Sequence, residues 1–130
     1  MEETIFTKII KGEVLAYKIY EDEKTLAFLD IEPTRYGHVL VVPKVQIDQY
    51  IDLPDDDYMA LWRAVKKVAA RLREIIGKER VVVKIIGTDV PHVHVHLFPL
   101  NKGEKPYHDE SSPTLTSAEF QQLAEKLRFS

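Results

Sequence analysis

His92-Val93-His94-Val95-His96-Leu97-Phe98 places three of the chain's five histidines on alternate positions of one apolar run. An extended strand sends successive side chains to opposite faces. The alternation therefore predicts a strand with His92, His94 and His96 on one face and Val93, Val95 and Leu97 on the other. The second face has the material of a core. Three adjacent imidazoles make a poor core, because each ring's charged form disfavours its neighbours' and every ring nitrogen needs a partner. They make a good site for chemistry near neutral pH.

The flanking sequence supplies elements for this strand to join. Gly87-Thr88-Asp89 reads as a tight turn into it, and Pro99 as its end. Val81 to Ile86 is β-branched at every position but Lys84 and predicts a central strand. Upstream, Asp55-Asp56-Asp57 suits a helix N-terminus, and Leu61, Val65, Val68, Leu72 and Ile76 follow at helical spacing until Gly77. Tyr17 to Glu21 and Thr25 to Ile31 read as strands joined by Asp22-Glu23-Lys24, and His38 opens a further strand over Val39 to Val42. Residues 4 to 11 predict a short helix stopped by Gly12, with Ile5, Phe6, Ile9 and Ile10 as its apolar stripe. Thr116-Ser117-Ala118-Glu119 is a capping box for a last helix carrying Phe120, Leu123, Leu127 and Phe129. Short strand-to-strand turns favour antiparallel pairing, so the fold class is α+β.

The 130 residues suit one domain, with a core over about 4–100 and a C-terminal loop and helix over 101–130. A hydrophobic content of 45% can build a core of its own. The formal net charge of −3 argues against a nucleic-acid polymer as partner, since that affinity needs surplus Lys and Arg. No apolar run approaches the ~20 residues of a bilayer span, so no membrane partner is expected. Met1-Glu2-Glu3-Thr4 does not read as a secretory leader. The chain has no cysteine, which removes thiolate metal sites and fits a cytoplasmic location. Arg63, Lys66, Lys67, Arg71 and Arg73 read as the solvated face of the long helix, and His108 as an exposed loop residue.

Three uses of the histidines are open. A metal ion is one, but His92 and His96 lie ~13 Å apart along a strand, so one ion cannot easily take all three. A His-x-His pair needs a third ligand, and the nearest downstream carboxylate, Glu104, sits in a loop. A purely structural cluster is the second. The third is nucleophilic or acid–base use: a neutral imidazole nitrogen attacks an electrophile while a hydrogen bond to the other nitrogen fixes the tautomer. A site rich in N–H donors suits an anionic electrophile. On the strand before, period two puts Leu26, Phe28 and Asp30 on one face. A carboxylate beside an aromatic ring can hold a ribose diol while the ring packs on the base. Taken alone, Asp30 is equally a turn acid, and the apolar residues of the first helix are more often core than pocket.

The run His92-Val93-His94-Val95-His96-Leu97-Phe98 resembles the histidine-triad (HIT) signature, in which histidines alternate with apolar residues. Ile5-Phe6-Thr7-Lys8-Ile9-Ile10-Lys11-Gly12-Glu13 resembles that family's opening segment. Tyr20-Glu21-Asp22 and Ala27-Phe28-Leu29-Asp30-Ile31 resemble its next strands, and Gly37-His38-Val39-Leu40-Val41-Val42-Pro43-Lys44 its His-x-Leu-Val-φ-Pro-Lys segment, where φ is apolar. These blocks keep the family's order across about residues 4 to 98. The Hint-like branch, the nucleoside phosphoramidate hydrolases, is most similar. The resemblance implies a HIT-like fold: an antiparallel sheet of about five strands, one long helix, short terminal helices and a homodimer. It implies hydrolysis or nucleotidyl transfer at the α-phosphate of a purine nucleotide. In that reading His94 is the nucleophile and forms a covalent nucleotidyl-histidine. His92 and His96 flank it, and His38 supports the triad from the neighbouring strand. Asp30 matches the ribose-binding acid, and Ile5, Phe6, Ile9, Phe28, Ile31 and Leu40 match or neighbour the nucleoside pocket. No cofactor and no metal is needed, because the imidazole replaces an activated water.

Three positions depart from the family's pattern. Thr88-Asp89 stands where relatives often have Gln followed by Ser or Thr near the phosphate and leaving group. Leu15 stands where a Pro is common. The C-terminal end lacks the tryptophan of typical Hint proteins. Thr88 and Asp89 are kept among the substrate-binding candidates. They leave room for two other readings, a nucleotide-binding regulatory module with little turnover and, further off, a His-x-His metal enzyme.

Overall fold

A computed structural model describes residues 2–129; the first and last residues of the expected domain, and so the very start of the stretch tested for a leader, lie outside them. In chain order the elements are α1 (Ile5–Ile10), β1 (Lys18–Glu21), β2 (Thr25–Leu29), β3 (Val39–Pro43), a 3-10 turn (Tyr50–Asp52), α2 (Asp55–Ile76), β4 (Arg80–Ile85), β5 (Val95–Leu100) and α3 (Ser117–Leu127). The strands form one antiparallel sheet in the order β1-β2-β3-β5-β4. The fold is α+β with five strands, as the sequence predicts.

Local chemistry explains most boundaries. Asp22 Oδ1 accepts from the amides of Lys24 and Thr25 at 2.9 and 2.8 Å, and this Asx turn closes the β1–β2 hairpin. Helix α2 buries Leu61, Ala64, Val65, Val68 and Leu72, one stripe at helical spacing, and ends where Gly77 turns left-handed at φ 77°. The capping box forms on α3: Thr116 Oγ1 accepts from the Glu119 amide, and the Glu119 carboxylate accepts from the Thr116 amide. Gly37 has φ 86°, and a Cβ there would meet Pro99 Cγ at 3.0 Å, so both backbone and space demand glycine just before His38.

The sheet is covered unequally, and that positions the site. One face, with Val39, Val41, Val95 and Leu97, packs under α2 and α3. The other face, with Leu26, Phe28, Leu40 and Val42, is covered by Phe6 and Ile9 of the short helix α1. Six residues of helix cannot cover five strands, so this second face opens into a cavity where the histidines stand.

Five expectations are corrected. The Val81–Ile86 run is an edge strand, not a central one: β5 lies between it and β3, and Val83 is 38% exposed. β-Branched residues suit any pleated strand, so the run could not report its place in the sheet. The histidine run is regular strand only from Val95, because a tight bend, with the His92 amide on the Val90 carbonyl at 2.8 Å, sets off Pro91 and His92. Residues 86–94 are accordingly a longer connection than a tight turn. Pro99 does not end the strand. β3 pairs only with Val95 to Leu97, so beyond Leu97 one side of β5 is unpaired and tolerates the missing amide donor. Phe129 lies past α3, with its ring edge-on to Tyr20 at 5.1 Å.

Candidate active site

The three triad histidines are not equivalent. His92 is fully buried, and His94 is 7% exposed. His96, in the regular part of β5, pairs in register with Leu40 of β3 and Lys84 of β4. His94 and His96 rings lie 5.1 Å apart, and His38 approaches His96 from the head of β3 at 5.2 Å. Val93, Val95 and Leu97, on the other side of the run, are locked into the core beneath α2, which fixes the backbone that carries the rings.

Hydrogen bonds assign the proton on each ring. A carbonyl only accepts, so His94 Nδ1 donates to the His92 carbonyl at 2.8 Å. That leaves the lone pair of a neutral His94 on Nε2. His92 Nε2 donates to the Pro43 carbonyl at 2.8 Å, and its Nδ1 accepts from the Thr4 hydroxyl at 2.9 Å. An amide only donates, so His38 Nδ1 accepts from Thr34 N–H at 3.1 Å. His38 Nε2 then carries a proton and donates to His96 Nδ1 at 2.9 Å. The remaining nitrogen of His96, Nε2, holds that ring's proton. His94 therefore offers a lone pair and its neighbour His96 an N–H, the pair that displacement at an anionic centre requires.

Burial keeps the supporting rings uncharged. It pushes His38 down to about 3, aided by the nearby His96 and Lys84 charges. It pushes His96 down to about 4, with His94 and Lys84 contributing. His92 is lowered as well, again chiefly by burial.

A cavity of about 610 Å3 opens beside His94 and His96. Its walls bring together the expected Ile5, Phe6, Ile9, Phe28, Asp30, Ile31, Leu40 and Asp89. The Phe6 ring lies 4.9 Å from His94 and 5.9 Å from Phe28. Thr88 is exposed and does not line the cavity, and His92 and His38 stand behind its wall. Leu15, 96% exposed, contributes to the rim. Asp30 lies just past β2, held by its own amide on the His38 carbonyl at 3.0 Å. Its Oδ1 accepts from Glu32 N–H at 2.8 Å, and burial raises its carboxyl pKa.

Two groups of residues were not singled out in the sequence. Thr4 caps α1 and hydrogen-bonds His92, while Thr7 donates to Gln46 Oε1 at 2.6 Å, tying α1 to the triad. Thr4 was visible as a helix cap, but its partner 88 residues away was not. Lys84 stands opposite His96 and donates to the Pro106 carbonyl at 2.9 Å. Among the described residues one cluster, Asp30, His38 and His96, brings its ligating atoms within 4.8 Å of one another. The Thr34 amide puts the His38 proton on Nε2, the nitrogen facing that cluster, so the ring presents N–H there and not a lone pair. Glu104 instead accepts from Asn101 N–H and Lys78, and Arg71 holds the Leu127 and Lys126 carbonyls.

Comparison with known proteins gives one answer. A family model described as the HIT domain matches residues 11–103. The chain is 40% identical over 104 residues to a HIT-like protein of Methanocaldococcus jannaschii, covering 77% of this chain and 81% of that one. It is 35% identical over 104 residues to the purine nucleoside phosphoramidase of Escherichia coli K12, covering 75% and 87%. Among solved structures, a HIT-like protein from Bartonella henselae superposes with a TM-score of 0.85 at 26% identity, covering 97% and 94%. Among the described residues no helix is long and apolar enough to cross a membrane. By its triad, its sheet and these matches, the chain belongs to the HIT family.

Proposed function

We propose that the protein hydrolyses nucleoside 5′-phosphoramidates, or related purine nucleotide conjugates, at the α-phosphorus through a covalent nucleotidyl-histidine on His94. The observation that carries this is the His94 Nδ1–H bond to the His92 carbonyl, which leaves Nε2 as a free lone pair on the cavity wall. His94 Nε2 attacks phosphorus, a P–N(His94) bond forms, and the bond to the leaving nitrogen breaks. The imidazolium charge formed on His94 is stabilised by the same carbonyl. The leaving amine departs with a proton taken from solvent, while the His96 Nε2–H hydrogen-bonds the departing nitrogen and the ring stays neutral. Water then attacks phosphorus, the P–N(His94) bond breaks, the surplus proton of the water passes to solvent, and the nucleoside monophosphate leaves with neutral His94 restored. The apolar cavity beside Phe6 and Phe28 suits a purine, and its volume falls in the range of small-molecule sites. The E. coli relative named as a purine nucleoside phosphoramidase supports the P–N bond as the one cleaved.

The test is AMP release from adenosine 5′-phosphoramidate by tag-free protein with EDTA present, wild type beside His94→Ala. The wild type should release AMP and the variant should not, while both bind AMP alike. Equal turnover by the two proteins would remove His94 from the role. Nucleotide binding without turnover by either would favour a regulatory binding module, the reading that Asp89 on the cavity wall supports.

A further inference from the structure

A second cavity, of about 300 Å3, shares His96, Asp30, Glu32 and Ile86 with the apolar one, and its remaining wall includes Lys84, Tyr107 and His108. Lys84 and His96 are cross-strand partners, so their side chains stand together on one face of the sheet. The Lys84 ammonium lies 5.8 Å from the Phe98 ring centroid and spends one N–H on the Pro106 carbonyl. It is half-buried, and among the described residues it forms no ion pair. A partly desolvated cation without a counter-ion is unfavourable until a ligand supplies the anion. The wall opposite is built, not loose. Arg35, 9% exposed, grips both carboxylate oxygens of Asp109 at 3.0 Å and the Lys105 carbonyl at 3.0 Å, so the loop through Pro106, Tyr107 and His108 is clamped on both sides.

His94 lines only the first cavity, while His96 lines both. A group displaced by His94 and hydrogen-bonded by His96 therefore faces the second. We propose that this second cavity receives the leaving group, and that Lys84 selects amines bearing a carboxylate. Asp30 and Glu32 line the same cavity, so a single ammonium there suits one negative charge and not a phosphate dianion. This inference rests on the reading that His94 displaces an amine from phosphorus.

The experiment compares adenosine 5′-phosphoramidates of β-alanine and of β-alaninamide, which differ by one charge at nearly equal size. Wild type should favour the carboxylate about tenfold or more in kcat/KM, the scale of one charge-assisted hydrogen bond. In Lys84→Gln, which keeps a donor for Pro106, that ratio should fall to near one, and in Lys84→Arg it should persist. Added KCl should shrink the ratio in the wild type, an arm that needs no folded variant. A wild-type ratio near one, or a ratio that Lys84→Gln leaves in place, overturns the inference while the hydrolase reading stands. AMP release from neither substrate by wild type overturns both.

Discussion

Replacing Asp30 by Asn is the most direct probe of how the cavity recognises a nucleotide. Asp30 Oδ1 is already committed to the Glu32 amide at 2.8 Å. Oδ2 lies 3.6 Å from His38 Nε2, too far for a hydrogen bond, and that N–H is spent on His96. One carboxylate oxygen, on a side chain only 20% exposed, is therefore free to accept from a ribose diol. A hydrogen bond to an ionised acceptor contributes about 1.5–3 kcal/mol. At about 1.4 kcal/mol per tenfold, deleting the 2′-hydroxyl should weaken binding between about 10- and 150-fold in the wild type. Asn keeps the Oδ1 acceptor for Glu32 but presents N–H2 where the diol needs an acceptor, so the same deletion should cost about threefold or less. Calorimetric titration of AMP and 2′-deoxy-AMP into both proteins gives the two ratios without requiring turnover. Acid should mimic the substitution. Burial raises the Asp30 carboxyl pKa, so the wild-type preference for ribose should fade as pH drops, beginning above the range of an ordinary carboxylate. Equal ribose preference in the two proteins, or a preference flat through the acidic range, would refute the assignment.

Thr4→Val should lower stability by about 1–3 kcal/mol, because it strips the fully buried His92 of its Nδ1 partner and α1 of its cap. Urea unfolding should show the loss, with Thr4→Ser near wild type; a Val variant as stable as wild type would contradict the role. The pH dependence of stability has a definite sign. His38 titrates at about 3 when folded and near 6.5 when unfolded, so below that value the unfolded chain gains the proton first. Stability should be full above pH 6.5 and fall on acidification, with His38 alone costing about 3 kcal/mol by about pH 4. In denaturant melts at the two pH values His38→Gln should lose less than wild type by that amount, and parallel losses would falsify the buried-neutral assignment.

The fold was legible where a local rule has one structural meaning. Gly77 and the Thr116–Glu119 box mark helix ends by backbone chemistry confined to a few residues, and both stand where the sequence puts them. The α2 stripe is read equally directly, since a period near 3.6 over 22 residues has no strand interpretation. Strand order is a different matter. Val81 to Ile85 reads as a buried run, yet its neighbours are decided by where the 86–94 connection returns the chain, and no residue within the run records that. The same connection hid the irregular start of β5, because alternation alone cannot tell an extended run from one bent at His92.

For the site, spacing and chemistry diverge in an instructive way. The alternation correctly set Val93, Val95 and Leu97 into the core, and that burial fixes the backbone from which His94 and His96 project. What distinguishes the rings from one another is not in the alternation. His94 keeps its lone pair on Nε2 because its Nδ1 meets a main-chain carbonyl, and His38 becomes a donor because its Nδ1 meets a main-chain amide. Both partners are backbone groups that every sequence possesses. Only the bend at His92 and the turn closed by Gly37 aim them. The tautomers, and so the division of labour among chemically identical side chains, are properties of backbone geometry. A substitution that spared His38, His92, His94 and His96 but forced a side chain onto Gly37 would therefore disturb the chemistry as surely as removing a ring.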